Sequence, residues 1–334
     1  MSEALLVNAW AGIIAFAVFA YIVMDGFDLG IGILFPLLPS EAERATAINA
    51  VAPVWDGNET WLILGGAGLM AAFPLAYAVL MPALYAPIMA MLLGLIFRGV
   101  AFEFRWRTQR DRWLWDLAFA VGSTVAAFMQ GASLGAILHG ISVQGRHYAG
   151  GPWDWLSPFS VLTGLALCAG YATLGACWLI MKSRGVLRGR ARRLALGSGA
   201  ALLAGVIAVS LATPWLHNDY YQRWFTWPSI LLTGLAPLLV VLATVLFLQA
   251  IRRGWERAPF LLTLGLFTLT YFGLMFSVFP FLVPYSITVT AAAAPASSLK
   301  FMLAGTAVLL PVVLGYTAHN YWVFRGKVGT EEYK

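Results

Sequence analysis

Stretches of about twenty apolar residues follow one another along almost the whole chain, and no other feature limits its fold so severely. That is the length a helix needs to cross a hydrocarbon layer about 30 Å thick. Of 334 residues, 60% are hydrophobic and 11% are charged, where ordinary soluble domains carry roughly a quarter charged. Such a chain has too little polar surface to cover a water-soluble globule. Inside lipid every backbone N–H and C=O must be paired internally, which leaves helices or a closed barrel. The alternation that marks barrel strands is absent. The sequence therefore predicts an all-α polytopic membrane protein, a single integral membrane domain over residues 1–334. The start, MSEALLVNAW, has Glu3 and no basic residue ahead of its apolar run. That argues against a cleaved leader and for a retained first helix.

Apolar runs between charged or Pro/Gly-rich breaks predict nine spans, near residues 5–35, 57–73, 76–98, 115–138, 158–181, 195–213, 228–250, 259–283 and 300–322. Their ends are read to within about four residues. Basic residues test the count, because Lys and Arg are retained on the cytoplasmic side. One set of ends collects Arg44, the arginines of 98–112, the basic residues of 182–193, Arg252, Arg253, Arg257, Arg325, Lys327 and Lys334. The other set holds only Arg146, Arg223 and Lys300. Nine spans with the N-terminus outside and the C-terminus cytoplasmic produce this asymmetry. Merging the second and third spans at FPLAY puts Arg44 and residues 98–112 on opposite sides. The net charge of +6 thus reports topology, with anionic inner-leaflet lipid as a minor partner and no nucleic acid.

Loops this short leave no separate catalytic domain, so any chemistry lies within the helices or against a partner. Six acids lie in or beside the first four spans: Asp25, Asp28, Asp56, Glu59, Glu103 and Asp116. A charge at the centre of a lone membrane helix costs roughly 2.5 kcal/mol or more, so such groups face protein or water. Asp25 and Asp28, in VMDGFDLGIGI, are three apart and share a helix face. Gly26, Gly30 and Gly32 open that helix to close neighbours. Asp56 and Glu59, in WDGNETWLI, begin the second span. Asp-x-x-Glu ahead of an apolar run also resembles a helix cap, with Asp56 accepting an unpaired backbone N–H. Arg98 and Glu103, in LIFRGVAFEFRWR, end the third span at the same inner edge. One reading of these two is snorkelling to headgroups; the other sets Arg98 as the counter-charge to the acids. Clustered carboxyls at a cytoplasmic edge can pass protons in short hops, and a hard cation is the competing occupant.

The four histidines point away from a haem held by this chain alone. His139, His147 and His217 lie near the outer ends and His319 near the inner end of the last span, with no facing pair at one depth. Cys168 and Cys177, nine apart without a CxxC pattern, read as small apolar helix residues. No P-loop, HExxH or GxSxG pattern occurs, so the chain has no catalytic constellation of its own.

VMDGFDLGIGIL, VAPVWDGNETWLI, FRGVAFEFRWR, LWDLAFAVGS, SPFSVLTG, FPFLVP and YTAHNYWVFRG, in this order over nearly the whole chain, resemble subunit II of the cytochrome bd ubiquinol oxidases. The resemblance implies nine helices arranged as two four-helix bundles plus one extra. It implies an obligate partner, subunit I, that carries the quinol site and ligates two haems b and one haem d. The expected complex is an electrogenic enzyme of aerobic respiration in the bacterial inner membrane, oxidising quinol at the outer face and reducing dioxygen to water with cytoplasmic protons. Subunit II would support assembly, close the haem pocket and share in proton uptake.

Carried over by motif, Asp56 is the expected proton-delivery residue, with Asp25 and Asp28 as relays or cation ligands. Arg98 is the expected compensating charge and Glu103 the entrance acid. Glu59 departs from members with glutamine there and takes the smaller role. The outer loop near residues 214–228 is short, as in the branch associated with cyanide-insensitive oxidases. The resemblance leaves open the quinone species, a structural quinone between the helices and small single-helix accessory subunits. Two other readings of the acids stand beside it: a stand-alone proton- or cation-coupled transporter, and a structural partner in which the acids only pair and cap.

Overall fold

The computed structural model describes residues 2–108 and 110–329. In chain order the helices are α1 (Glu3–Leu34), α2 (Glu41–Asn49), α3 (Trp55–Ala72), α4 (Pro74–Ala83), α5 (Tyr85–Arg107), α6 (Arg112–His139), α7 (Pro158–Lys182), α8 (Gly185–Ala212), α9 (Asn218–Phe225), α10 (Ser229–Arg252), α11 (Ala258–Val278), α12 (Val289–Ala292) and α13 (Ala296–Val323). Among these, eight are long and apolar enough to cross a membrane: α1, α5, α6, α7, α8, α10, α11 and α13. The fold is helical, as expected, with two small additions at one end. Val143–Gln144 pairs with His147–Tyr148 and Phe281–Val283 with Ile287–Thr288, each an antiparallel hairpin.

Long-range hydrogen bonds show which helix ends meet. The Trp10 indole donates to the Leu299 carbonyl at 3.0 Å, and the Ala294 amide donates to the Ala72 carbonyl. The start of α1, the end of α3 and the start of α13 therefore share one end of the molecule. At the other end Asn320 donates to the Pro53 carbonyl at 3.0 Å and the Trp178 indole to that of Ala50 at 2.9 Å. Although α3 has only 18 residues and a polar first turn, it runs the distance between the two ends.

The basic segments converge on the second of these ends. Arg190 reaches Glu43 at 2.9 Å, Arg44 reaches Asp116 at 3.2 Å and Arg188 reaches Glu256 at 2.6 Å. Arg105, fully buried, binds Asp116 at 2.6 Å and Glu41 at 2.9 Å. Helix α2, begun by a Ser40–Glu43 capping box, is clamped by these arginines to α6 and α8. Lys334, placed on this side by the count of basic residues, lies outside the described residues.

Several boundaries differ from those expected: α5 runs on to Arg107, past 98, α11 ends at Val278, short of 283, and two further differences have a clear physical cause. Helix α8 begins at Gly185, ten residues before the apolar run at 195, because hydropathy marks the hydrocarbon layer and not the helix. Arg188 and Arg190 are helical residues whose side chains end in ion pairs. The apolar run expected over 76–98 is divided at Leu84 into α4 and α5. Pro82 and Pro87 flank the break, and each lacks the N–H that a continuous helix uses. A profile of apolarity registers nothing there.

Glycine sets the closest helix contacts. A Cβ on Gly30 of α1 would stand 1.7 Å from the Tyr171 carbonyl oxygen of α7, and one on Gly175 would stand 2.5 Å from the Gly30 carbonyl carbon. Backbone therefore lies on backbone where α1 crosses α7, as small residues permit in membrane packing. Gly94 of α5 and Gly122 of α6 meet in the same way. Helices α10 and α13 contrast with this core, since their apolar windows are 6% and 0% buried within the chain.

The tail after α13 folds back over the end of the bundle. Lys182 Nζ donates to the Phe324 and Gly326 carbonyls, the Val328 amide donates to the Lys182 carbonyl at 2.9 Å, and Lys327 pairs with Glu256 at 2.6 Å. The Lys327 hydrogen bond, joined by Arg188 and only partly opposed by desolvation, holds the Glu256 carboxyl below the ordinary range. A carboxyl lowered in the folded state adds stability above its unfolded value, about 4.3, and loses it as pH falls through the folded one. The Val328 amide is therefore expected to lose hydrogen-exchange protection below about pH 4, and at neutral pH in Glu256→Gln. Unchanged protection in that variant refutes this latch.

Candidate functional site

The close approach of α1 to α7 turns one face of α1 toward α3 and α5, and that face carries Asp25 and Asp28. Both are fully buried, as is Arg98 from α5. Arg98 Nη1 donates to Asp25 Oδ1 at 2.7 Å. Its Nη2 donates to Glu59 Oε1 from α3, whose side chain keeps 24% exposure. Asp28 Oδ2 accepts from Asn58 Nδ2 at 2.7 Å, and Asn58 Oδ1 accepts from the Tyr321 hydroxyl at 2.9 Å. Four helices, α1, α3, α5 and α13, thus deliver one polar group each or more to a largely buried centre.

Two carboxyl groups, those of Asp25 and Glu59, share a single guanidinium, and a third, that of Asp28, is held beside them by Asn58; such a set can bind and release a proton. Asp25 Oδ2, Asp28 Oδ1 and Arg98 Nε find no hydrogen-bond partner among the described residues. Buried polar groups are ordinarily satisfied, and each exception needs a reason. Two buried acids and their counter-ion therefore keep lone pairs and an N–H without a partner among the described residues. One turn farther along α1, the Tyr21 hydroxyl accepts from Gln130 Nε2 at 2.8 Å, and Tyr171 donates to Gln130 Oε1 at 2.8 Å. That thread carries polar groups deeper between α1, α6 and α7.

The residues singled out in sequence separate into an inner group and a surface group. Asp25, Asp28, Glu59 and Arg98 come together. Asp56 is exposed at the start of α3, and Glu103 is exposed with only Arg107 beside it at 3.7 Å, a pair of little energetic weight. The capping role expected for Asp56 is corrected. The helix begins at Trp55, two residues earlier than a cap at Asp56 requires, with Val54 at the cap position and no side-chain cap bond. Asp56 then occupies the first turn, where a carboxylate still favours the positive helix end. It shares the outward face of α3 with the exposed edge of Glu59, three residues on. Asp116 takes no part in this centre, being paired with Arg44 and Arg105.

Asn58, Tyr321, Tyr21 and Gln130 were not singled out. Asn58 stands inside the quoted WDGN motif and could have been found there. Tyr321 is 263 positions from Asn58, and no local pattern joins them.

The chain's histidines do not form a haem ligand pair. His139, His147 and His319 are exposed, and His217 stacks on Tyr285 with ring centroids 3.8 Å apart. Among the described residues no three His, Cys, Asp or Glu side chains converge as a metal site.

Known proteins share this sequence and fold over nearly their whole length. The chain is 29% identical over 341 residues to cytochrome bd ubiquinol oxidase subunit 2 of Bacillus subtilis, covering 97% of each. It is 28% identical over 366 residues to cytochrome bd-I ubiquinol oxidase subunit 2 of Escherichia coli K12, covering 97% of this chain and 95% of that one. A chain of the solved bd oxidase from Geobacillus thermodenitrificans superposes with a TM-score of 0.75 at 16% identity, covering 95% of this chain and 98% of that one. Residues 6–324 match the family model for cytochrome bd terminal oxidase subunit II, and the chain belongs to that family.

Proposed function

We propose that the chain is the second subunit of a bd-type quinol:dioxygen oxidoreductase in the bacterial cytoplasmic membrane. The family match over residues 6–324 carries this reading. The chain crosses the membrane nine times, counting α3, with its N-terminus outside and its basic end in the cytoplasm. Its obligate partner is subunit I. The two haems b and the haem d lie in that subunit and pass electrons from quinol to dioxygen. This chain supports assembly and the haem pocket, and its own chemistry is the supply of protons from the cytoplasm.

The geometry suggests how. Asp56 and Glu103, exposed near the basic end, collect protons. Glu59 lies on the same face of α3 as Asp56 and holds Arg98 with its other edge, linking surface to interior. Asp25 and Asp28, each with an unpartnered oxygen, hold the proton inside. Arg98 keeps the carboxyls together and balances their charge.

Two measurements test the reading. A tagged chain is expected to co-purify with a coloured partner showing haem b and haem d bands; a colourless preparation refutes the assignment. Asp56→Asn is expected to keep assembly and haem content while quinol-driven oxygen consumption falls about 100-fold, the low end for a positioned proton-transfer group. Unchanged turnover removes Asp56 from the route.

A further inference from the structure

We infer that Tyr321 and Asn58 are positioning residues that fix the Asp28 carboxyl, so that the last helix governs the geometry of the buried acid cluster. The inference rests on the reading of Asp28 as part of the proton route.

Asn58 is 1% exposed and Asp28 is fully buried. The Asn58 amide nitrogen donates to Asp28 Oδ2 at 2.7 Å and to the Met24 carbonyl at 3.1 Å. Met24 lies four residues before Asp28, so its carbonyl belongs to the helical turn that carries Asp28. One amide therefore grips both the acid and the backbone beneath it. The Met24 carbonyl can only accept, which settles the orientation, and the amide oxygen accepts from the Tyr321 hydroxyl at 2.9 Å. Reversed, the amide would aim its oxygen at two acceptors, and an unmade buried hydrogen bond costs about 1–3 kcal/mol. The tyrosine hydroxyl is thus the donor that satisfies the amide oxygen and braces the amide nitrogen against Asp28.

Tyr321 is itself held from three sides. Its ring meets Phe27 and Trp178 edge-on, with centroids 6.4 and 6.1 Å away. Asn320, its neighbour, is tied to the Pro53 carbonyl at 3.0 Å. On the cytoplasm-facing side a cavity of about 340 Å³ lies between Tyr321 and Trp178 and the folded-back tail at Phe324 and Gly326. Helix α13 is otherwise little buried in this chain, so this contact is how its position reaches the acids.

The test reads the acid directly. In the purified complex, redox-difference infrared spectroscopy identifies the Asp28 band as the one that Asp28→Asn removes. Tyr321→Phe, which keeps the stacked ring, is expected to displace that band and to lower quinol-driven oxygen consumption about tenfold, the equivalent of one buried hydrogen bond. Trp322→Phe, the exposed neighbour, is expected to move neither. Asn58→Ser is the second variant, read by the same band should Tyr321→Phe fail to assemble. An unmoved Asp28 band in whichever variant assembles overturns the positioning role, even with reduced yield of complex. A displaced band together with wild-type turnover in Asp28→Asn upholds the positioning and refutes the proton role of Asp28.

Discussion

Replacing Arg98 with leucine is expected to leave almost no assembled, haem-containing complex. The guanidinium is fully buried between Asp25 and Glu59, and its removal strands the fully buried Asp25 carboxyl without a counter-charge. Breaking a buried ion pair from one side costs about 3–5 kcal/mol, a large share of the roughly 5–15 kcal/mol that holds a typical protein together. The double variant Arg98→Leu with Asp25→Asn is expected to recover part of the haem content, because it removes the fully buried partner charge as well. Glu59 keeps 24% exposure and can reorient to its open side. Turnover is expected to stay low in the double variant, since both acid and counter-ion are gone. Haem absorbance per unit of purified protein, with oxygen consumption beside it, reads both results. A wild-type yield of haem-containing complex from Arg98→Leu alone shows that the pair is not what holds the acids.

Gly30→Ala is expected to abolish assembly although it adds a single methyl group. That methyl would stand 1.7 Å from the Tyr171 carbonyl oxygen, on a backbone that cannot rotate aside. Overpacking usually costs about 1–3 kcal/mol, and a backbone-on-backbone clash lies at or beyond the top of that range. Helices α1 and α7 would have to part, taking Asp25 and Asp28 away from Arg98. Gly12→Ala is the control, because nothing lies within 4 Å of a Cβ there and the same helix is otherwise unchanged. Equal yields of complex from the two variants refute the packing argument.

Much of this molecule is legible in its amino-acid order. Apolar run length marks the eight long helices, and basic residues identify one end of the bundle, where Arg44, Arg105, Arg188 and Arg190 are found in ion pairs. The spacing of Asp25 and Asp28 puts them on one face of α1. The Gly26, Gly30 and Gly32 series marks close packing, and Gly30 does lie against α7. The start of α8 and the break at Leu84 are illegible for one shared reason: hydropathy reports the solvent around a helix and not its hydrogen bonds.

The acids separate what composition can determine from what it cannot. By itself the sequence determined that the chain's solvent is a bilayer, which end is basic, and which carboxyls fall in or beside the apolar spans. The family resemblance ranked Asp56 above Glu59. Only the tertiary structure decided which acids meet Arg98, placing Glu59 on the guanidinium and Asp56 at the surface. The two are three residues apart on one helix, so a modest rotation of α3 exchanges burial for exposure. That rotation is set by contacts between distant segments, among them Asn58 with Asp28 and with Tyr321. A carboxyl's residue type makes it acidic, but its partners come from helices that the chain order keeps far apart.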